Sequence, residues 1–119
     1  MRVLIADDQK SVGTSLAELV RFCQHEVVEV VSSGLEAVQA YERHNPDVVL
    51  MDYQMPKLNG MTACRNIVAK HPNARVILVS GSPREIAGCG ALAMLLKPVR
   101  LDQLYDALYN AALPPASEM

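Results

Sequence analysis

VLIADDQK, residues 3–10, joins a short apolar run to two adjacent carboxylates, Asp7 and Asp8. Four consecutive apolar residues are typical of a β-strand that is covered on both faces, as strands of a parallel sheet are. A buried strand that ends in two like charges indicates that a positive partner belongs beside them. The remaining sequence is consistent with such a sheet and supplies candidates for that partner.

Strand-like segments recur along the chain and alternate with segments of helical periodicity. The predicted strands cover residues 3–6, 27–31, 48–51, 75–80 and 93–96. Apolar residues at helical spacing follow four of them, within residues 12–23, 35–41, 61–68 and 101–111, with Ser11 and Ser33 as candidate N-caps. This alternation predicts the doubly wound α/β class, a five-stranded parallel sheet with helices on both faces.

The composition excludes several classes of protein. The chain has 119 residues, which fits one domain, and a formal net charge of −2, which argues against direct binding of nucleic acid. No apolar run approaches the ~20 residues of a membrane span. The three cysteines match neither a disulfide framework nor a zinc site, so we expect free thiols in a cytoplasmic protein.

Polar residues follow four of the predicted strands, at the point where each strand ends. They are Asp7 and Asp8, Asp52, Ser80, which Gly81 follows, and Lys97, which Pro98 follows. Because the carboxyl ends of parallel strands meet at one edge of the sheet, these residues converge on one crevice. Two like charges at ~4 Å repel by roughly 4 kcal/mol at an effective dielectric constant of about 20. Mg²⁺, which takes oxygen ligands and shares phosphate oxygens, offsets that repulsion.

The residue types at these positions suit phosphoryl transfer. Carboxylates form aspartyl-phosphates, and the catalysis required is mainly positioning and neutralisation of charge. Lys97 would neutralise one phosphoryl oxygen, and the Ser80 hydroxyl would donate a hydrogen bond to another. Gly81, which has no side chain, leaves room for a phosphodonor to approach.

In this order, the segments VLIADD, VVLMDYQMPKLNG, VILVSG and LLKP resemble the response-regulator receiver domain, the phosphoacceptor half of two-component signalling. The resemblance covers residues 2–112 and implies a flavodoxin-like (βα)5 sheet with strand order 2-1-3-4-5. We assign residues 1–113 to the receiver domain and residues 114–119 to a tail or the start of a linker.

The resemblance implies the ligands of a Mg²⁺ ion and the acceptor of the phosphoryl group. Asp52 would take that group from the phosphohistidine of a kinase. Asp8 would bind Mg²⁺ directly, Asp7 largely through water, and the backbone carbonyl of Gln54 would supply a further ligand.

The resemblance also implies how the domain switches. Ser80 would be the switch hydroxyl and Lys97 the phosphate-binding ammonium, and the Lys97–Pro98 peptide bond is expected to be cis. Met94 stands where most receivers have Tyr or Phe, three residues before the lysine. Because methionine has no ring, the usual coupling between hydroxyl and ring is in question.

A second departure concerns the fourth helix. The chain between the switch hydroxyl and the phosphate-binding lysine is shorter than is usual in the family, by roughly one helical turn. Its segment GSPREIAGCGA, residues 81–91, contains Pro83, Gly88 and Gly90, which interrupt helices. We therefore expect a fourth helix that is very short, irregular or missing.

The leading functional hypothesis is a phosphoacceptor switch that catalyses only its own phosphorylation and dephosphorylation. Its partners would be a sensor histidine kinase or phosphotransfer protein, and a downstream protein or a lost output domain; homodimer formation is left open. A pseudo-receiver that binds partners without phosphorylation is the alternative. A phosphohydrolase of the haloacid-dehalogenase kind needs an acid two residues after the nucleophile, where this chain has Gln54.

Overall fold

The computed structural model describes residues 1–86 and 88–113. Within them, strands and helices follow in this order: β1 (Arg2–Ala6), α1 (Lys10–Phe22), β2 (Glu26–Val31), α2 (Gly34–His44), β3 (Val48–Asp52), α3 (Gly60–Lys70), β4 (Val76–Ser80), β5 (Ala93–Leu96) and α4 (Leu101–Ala112). The predicted tail, residues 114–119, lies outside the described residues.

The five strands form one parallel sheet in the order β2-β1-β3-β4-β5. This confirms the predicted class and strand order. Glu26 and Glu29 lie on β2, one of the two edge strands, where charged side chains are tolerated. In the described part of the chain, no helix is long and apolar enough to cross a membrane.

Side chains alternate between the two faces of the sheet, and each face packs against its own pair of helices. Val3 and Ile5 pack with buried residues of α1 and α4 on one face. Leu4 and Met51 pack with buried residues of α2 and α3 on the other. Full burial of one such side chain contributes about 1.5–3 kcal/mol, so the two cores hold the carboxyl ends of the central strands in a fixed relation.

The two predicted N-caps have different outcomes. Ser33 caps α2, because its hydroxyl accepts a hydrogen bond from the Glu36 backbone N–H at 3.1 Å. The prediction for Ser11 is wrong, since α1 begins at Lys10 after Gln9. The Asp7 carboxylate accepts a hydrogen bond from the Gln9 N–H at 2.9 Å, and this turns the chain into the helix two residues earlier than predicted.

The connection between β4 and β5 contains no helix in its described residues. This confirms the prediction that the helix expected between these two strands is very short, irregular or missing. Gly88 and Gly90 both have positive φ, 84° and 87°, a conformation that a right-handed helix excludes. Cys89 between them is buried and its thiol donates to the Ile86 carbonyl at 3.0 Å. The Cys64 thiol of α3 donates to the Cys89 carbonyl at 3.3 Å, so this irregular connection is anchored to the core.

Candidate functional site

The carboxyl ends of β1, β3, β4 and β5 meet at one edge of the sheet, and backbone pairing continues beyond two of them. The Tyr53 N–H donates to the Val79 carbonyl at 2.8 Å, and the Lys97 N–H donates to the Ser80 carbonyl at 2.8 Å. These bonds fix the backbone from which the side chains of Asp52, Ser80 and Lys97 extend. The Lys97–Pro98 peptide bond is cis, as the resemblance implied.

Three carboxylates lie together at this edge. Asp7, Asp8 and Asp52 each offer one oxygen, and these oxygens lie within 4.8 Å of one another. Asp7 and Asp52 are buried, whereas Asp8 is exposed. Asp7 Oδ1 accepts the hydrogen bond from Gln9, but Asp7 Oδ2 is buried without a hydrogen-bond partner in the described part of the chain.

Lys97 supplies the positive charge inside this cluster. Its Nζ lies 3.1 Å from Asp7 Oδ2 and 3.3 Å from Asp52 Oδ1. The contact with Asp7 Oδ2 is an ion pair without the alignment of a hydrogen bond. Burial alone would lower the pKa of Lys97, but the neighbouring carboxylates of Asp7 and Asp52 hold this pKa above its ordinary value. The ammonium therefore stays charged at neutral pH.

The Asp52 carboxyl has a raised pKa. Burial is the largest cause, and the negative charge of Asp7 raises the pKa further, with a smaller contribution from Asp8. The ammonium of Lys97 opposes both effects and offsets them only in part. One partly buried ammonium is thus insufficient for this set of carboxylates, and the ionised state of Asp52 costs free energy in the metal-free protein.

The residues present fit a hard divalent cation. The donor set is three carboxylates, and the buried Asp7 Oδ2 has no hydrogen-bond partner within residues 1–86 and 88–113. Carboxylate oxygens are the ligands that Mg²⁺ prefers, and a dication would offset the repulsion among them. Gln54 is exposed and lines the same cleft as Asp8 and Asp52. The use of its backbone carbonyl as a ligand stays a prediction.

The predicted switch residues occupy different surroundings. The Ser80 side chain is bonded to its own loop, since its hydroxyl donates to the Ser82 carbonyl at 2.7 Å and accepts from the Ser82 N–H at 3.3 Å. Gly81 is exposed, and a Cβ there would meet no atom within 4 Å, so this side of the cleft is open. Met94 is half-buried against the core on the α2–α3 face and is not among the residues that line the cleft.

Three residues that line the cleft were not predicted from the sequence: Gln9, Ser82 and Arg84. Arg84 lines the cleft, a space of about 360 Å³ that it shares with Asp8, Asp52 and Lys97. Its guanidinium carbon lies 5.1 Å from the centroid of the Tyr53 ring. Arg84 belongs to the irregular connection after β4, where neither helical nor strand periodicity indicates the direction of a side chain.

We expect Lys97→Gln to destabilise the Mg²⁺-free protein by about 1–2 kcal/mol at neutral pH. The substitution leaves Asp7 and Asp52 without the ammonium that lies 3.1 and 3.3 Å away. Breaking a fully buried pair costs roughly 3–5 kcal/mol, and the expected loss is smaller because 21% of the lysine side chain is exposed. Urea denaturation at pH 7 in a chelator would measure it.

The matched control is Lys70→Gln, which removes an exposed ion pair with Glu42 and should change stability by less than ~1 kcal/mol. The loss for Lys97→Gln should also shrink as pH falls through the raised pKa of Asp52, because a neutral carboxyl no longer needs the ammonium. Equal losses for the two lysine variants would contradict this interpretation of the cluster.

The family model described as "Response regulator receiver domain" matches residues 3–109. Among curated proteins, the chain is 35% identical to chemotaxis protein CheY of Listeria monocytogenes, over 94% of this chain and 98% of that protein. It is 37% identical to the transcriptional regulatory protein PdtaR of Mycobacterium tuberculosis, over 90% of this chain and 54% of that longer protein.

Solved structures share the fold. The CheX–CheY–BeF3–Mg complex of Borrelia burgdorferi aligns with a TM-score of 0.90 at 28% identity, covering 96% of this chain and 90% of that one. The receiver domain of the sensor histidine kinase PA1611 of Pseudomonas aeruginosa, with a magnesium ion coordinated in its active-site cleft, aligns with a TM-score of 0.84 at 25% identity, covering 92% and 94% of the two chains.

Proposed function

Because this chain belongs to the response regulator receiver domain family of two-component systems, we propose that it is a phosphoacceptor switch and that Asp52 is the acceptor. One observation carries the proposal. The Asp52 carboxylate ends a buried strand, lines an open cleft, and lies 3.3 Å from an ammonium and within 4.8 Å of two further carboxylates. Proteins of this family signal by being modified and do not turn over a separate substrate.

The chemistry follows from the charges at the cleft. A carboxylate oxygen of Asp52 attacks the phosphorus of a kinase phosphohistidine; the new P–O bond forms as the P–N bond breaks, and its electron pair stays on the imidazole nitrogen. Lys97 neutralises one phosphoryl oxygen. Asp7, Asp8, Asp52 and the Gln54 carbonyl would hold Mg²⁺, which when bound supplies positive charge against the phosphoryl oxygens.

The switch begins at Ser80. A phosphoryl group adds close to two negative charges beside the Ser80 hydroxyl, which now donates to Ser82. Donation to the phosphoryl group instead breaks that contact and loosens residues 81–82 at the start of the connection after β4, while the contact between Cys64 and Cys89 keeps its later part on the core. The change shifts a two-state equilibrium that a partner reads. With Met94 in place of an aromatic residue, we propose that this connection, rather than a ring on β5, carries the rearrangement.

The remaining assignments follow from family membership alone. We propose that residues 1–113 are the receiver domain, that a sensor histidine kinase or phosphotransfer protein is the donor, and that the domain acts in the cytoplasm. A downstream protein or an output domain would read the phosphorylated state. Binding of partners without phosphorylation is the alternative that the experiment must be able to detect.

The test is intact mass spectrometry of the full chain after incubation with acetyl phosphate. We expect one added phosphoryl group in the presence of Mg²⁺ and none in the presence of EDTA, because the carboxylates repel an anionic donor without the cation. If neither acetyl phosphate nor a kinase donor adds a phosphoryl group in Mg²⁺, and beryllofluoride does not bind, the phosphoacceptor proposal is wrong and the alternative takes its place.

A further inference from the structure

Arg84 is held at the mouth of the cleft by the residue that follows the phosphoacceptor. Its guanidinium lies 5.1 Å from the centroid of the Tyr53 ring, a distance at which a cation and an aromatic ring attract each other. The ring is itself fixed, since the Tyr53 hydroxyl donates to Met61 Sδ at 3.4 Å and the Tyr53 N–H pairs with β4. Arg84 therefore has a defined position in the cleft that Asp52 also lines.

Arg84 can bind an anion, because its charge is not already paired with a carboxylate in the described part of the chain. Arg43 and Arg100 form ion pairs with carboxylates of this chain, whereas no ion pair of Arg84 is found within residues 1–86 and 88–113. The site has three carboxylates and one lysine, and a phosphoryl group adds nearly two more negative charges. A guanidinium can donate two parallel hydrogen bonds to phosphoryl oxygens, which makes arginine well suited to this geometry.

The chain around Arg84 can also move with the modification. Two hydrogen bonds tie the start of this irregular connection to β4, since the Ser80 hydroxyl donates to the Ser82 carbonyl at 2.7 Å and accepts from the Ser82 N–H at 3.3 Å. When the Ser80 hydroxyl donates to the phosphoryl group, the first and shorter of these bonds is lost. A Cβ at Gly81 would meet no atom within 4 Å, so this glycine is not packed on that side.

From these observations we propose that Arg84 is a second phosphoryl-binding cation, which moves from the Tyr53 ring onto the phosphoryl group of Asp52 and covers it. This inference rests on the proposed function and adds to it. Loss of the modification occurs when water adds to phosphorus and the P–O bond to Asp52 breaks, which returns the carboxylate and releases inorganic phosphate. By covering the phosphoryl group, Arg84 increases the affinity of the cleft for that group and slows its hydrolysis.

The experiment compares the full chain with Arg84→Ala, Arg84→Lys and the control Arg65→Ala, which removes an exposed arginine of α3. Isothermal titration calorimetry in saturating Mg²⁺ measures affinity for beryllofluoride, which stands in for the phosphoryl group. Intact mass after removal of acetyl phosphate measures the lifetime of the modification. We expect Arg84→Ala to lower the affinity about fivefold or more and to shorten the lifetime by a similar factor.

Two further readouts separate this role from a general effect of charge or folding. Arg84→Lys keeps the charge without the paired donors and should lie between wild type and Arg84→Ala, while Arg65→Ala should stay within about twofold of wild type. The affinity for Mg²⁺ alone should be unchanged in all three variants.

The outcomes distinguish the two proposals. If the wild-type chain is phosphorylated and Arg84→Ala matches it in beryllofluoride affinity and lifetime, the role of Arg84 is wrong and the phosphoacceptor function stands. If Arg65→Ala is as defective as Arg84→Ala, the effect is one of net charge and the assignment is also wrong. If the wild-type chain takes up no phosphoryl group and binds no beryllofluoride, both proposals fall.

Discussion

Asp52→Asn is expected to abolish phosphoryl uptake completely and, at the same time, to make the Mg²⁺-free protein more stable than wild type. The first effect follows because an amide cannot form the acyl phosphate. The second follows because the pKa of Asp52 is raised by burial and by the charge of Asp7, despite the opposing charge of Lys97. Intact mass after acetyl phosphate treatment and urea denaturation at pH 7 would measure the two effects.

The pH dependence of the stability gain has a defined sign. Since the pKa of Asp52 is higher in the folded protein than in the unfolded chain, the ionised carboxylate lowers stability above that raised pKa. The advantage of Asp52→Asn, on the order of 1 kcal/mol, should therefore be full at neutral pH. It should be mostly lost near pH ~4, close to the ordinary pKa of an aspartate.

Two controls make this prediction specific to the cluster. Asp106→Asn, at an exposed position of α4, should retain phosphorylation and wild-type stability within ~0.5 kcal/mol. Added Mg²⁺ should stabilise wild type more than Asp52→Asn, because the variant offers one charged ligand fewer. A loss of stability in Asp52→Asn at neutral pH would show that the ion pair with Lys97 outweighs the repulsion, and the proposed electrostatics would be wrong.

Much of this architecture could be predicted from the chain because its strands are unambiguous. Three central strands consist of apolar runs that end in a polar residue or are followed directly by one, and the rule for parallel sheets places those residues at one edge. The missing helix was predictable for a similar reason. Gly88 and Gly90 interrupt the periodicity, and both adopt the positive φ that glycine permits.

What could not be predicted depends on which of two competing local contacts forms, or on contacts made by irregular segments. The start of α1 depends on one hydrogen bond from the Gln9 backbone N–H to the Asp7 carboxylate, which competes with an equally plausible cap at Ser11. The two adjacent aspartates look alike in the sequence, yet Asp7 is buried and Asp8 is exposed. Arg84 lies in a connection without periodicity, so only the folded structure shows that it reaches the cleft.

The contact between Gly60 and the phosphoacceptor likewise became visible only in three dimensions, and it leads to the second prediction. Gly60 begins α3, and its N–H donates to the Tyr53 carbonyl at 2.7 Å. A Cβ at Gly60 would collide with the backbone carbonyl oxygen of Asp52 and would lie 2.9 Å from the carbonyl carbon. The start of this helix thus lies directly against the backbone that positions the nucleophile.

Gly60→Ala is expected to destabilise the protein by about 2–4 kcal/mol, because the methyl group meets backbone atoms that cannot rotate away as a side chain could. The relief of that overlap must displace either α3 or the end of β3. A shift of ~1 Å at a reacting group can cost about 100-fold in rate, so phosphorylation by acetyl phosphate should slow by tenfold or more. Urea denaturation and timed intact-mass measurements would test both effects.

Gly81→Ala provides the matched control, one residue beyond β4 at the same edge of the sheet. A Cβ there meets no atom within 4 Å, so stability should stay within ~0.5 kcal/mol of wild type. Since both substitutions add one methyl group to a glycine near the site, a difference between them measures the contact and not the intrinsic cost of replacing glycine. If Gly60→Ala were as stable as Gly81→Ala, α3 would have to move freely against β3, and the close packing that fixes Asp52 would not hold in solution.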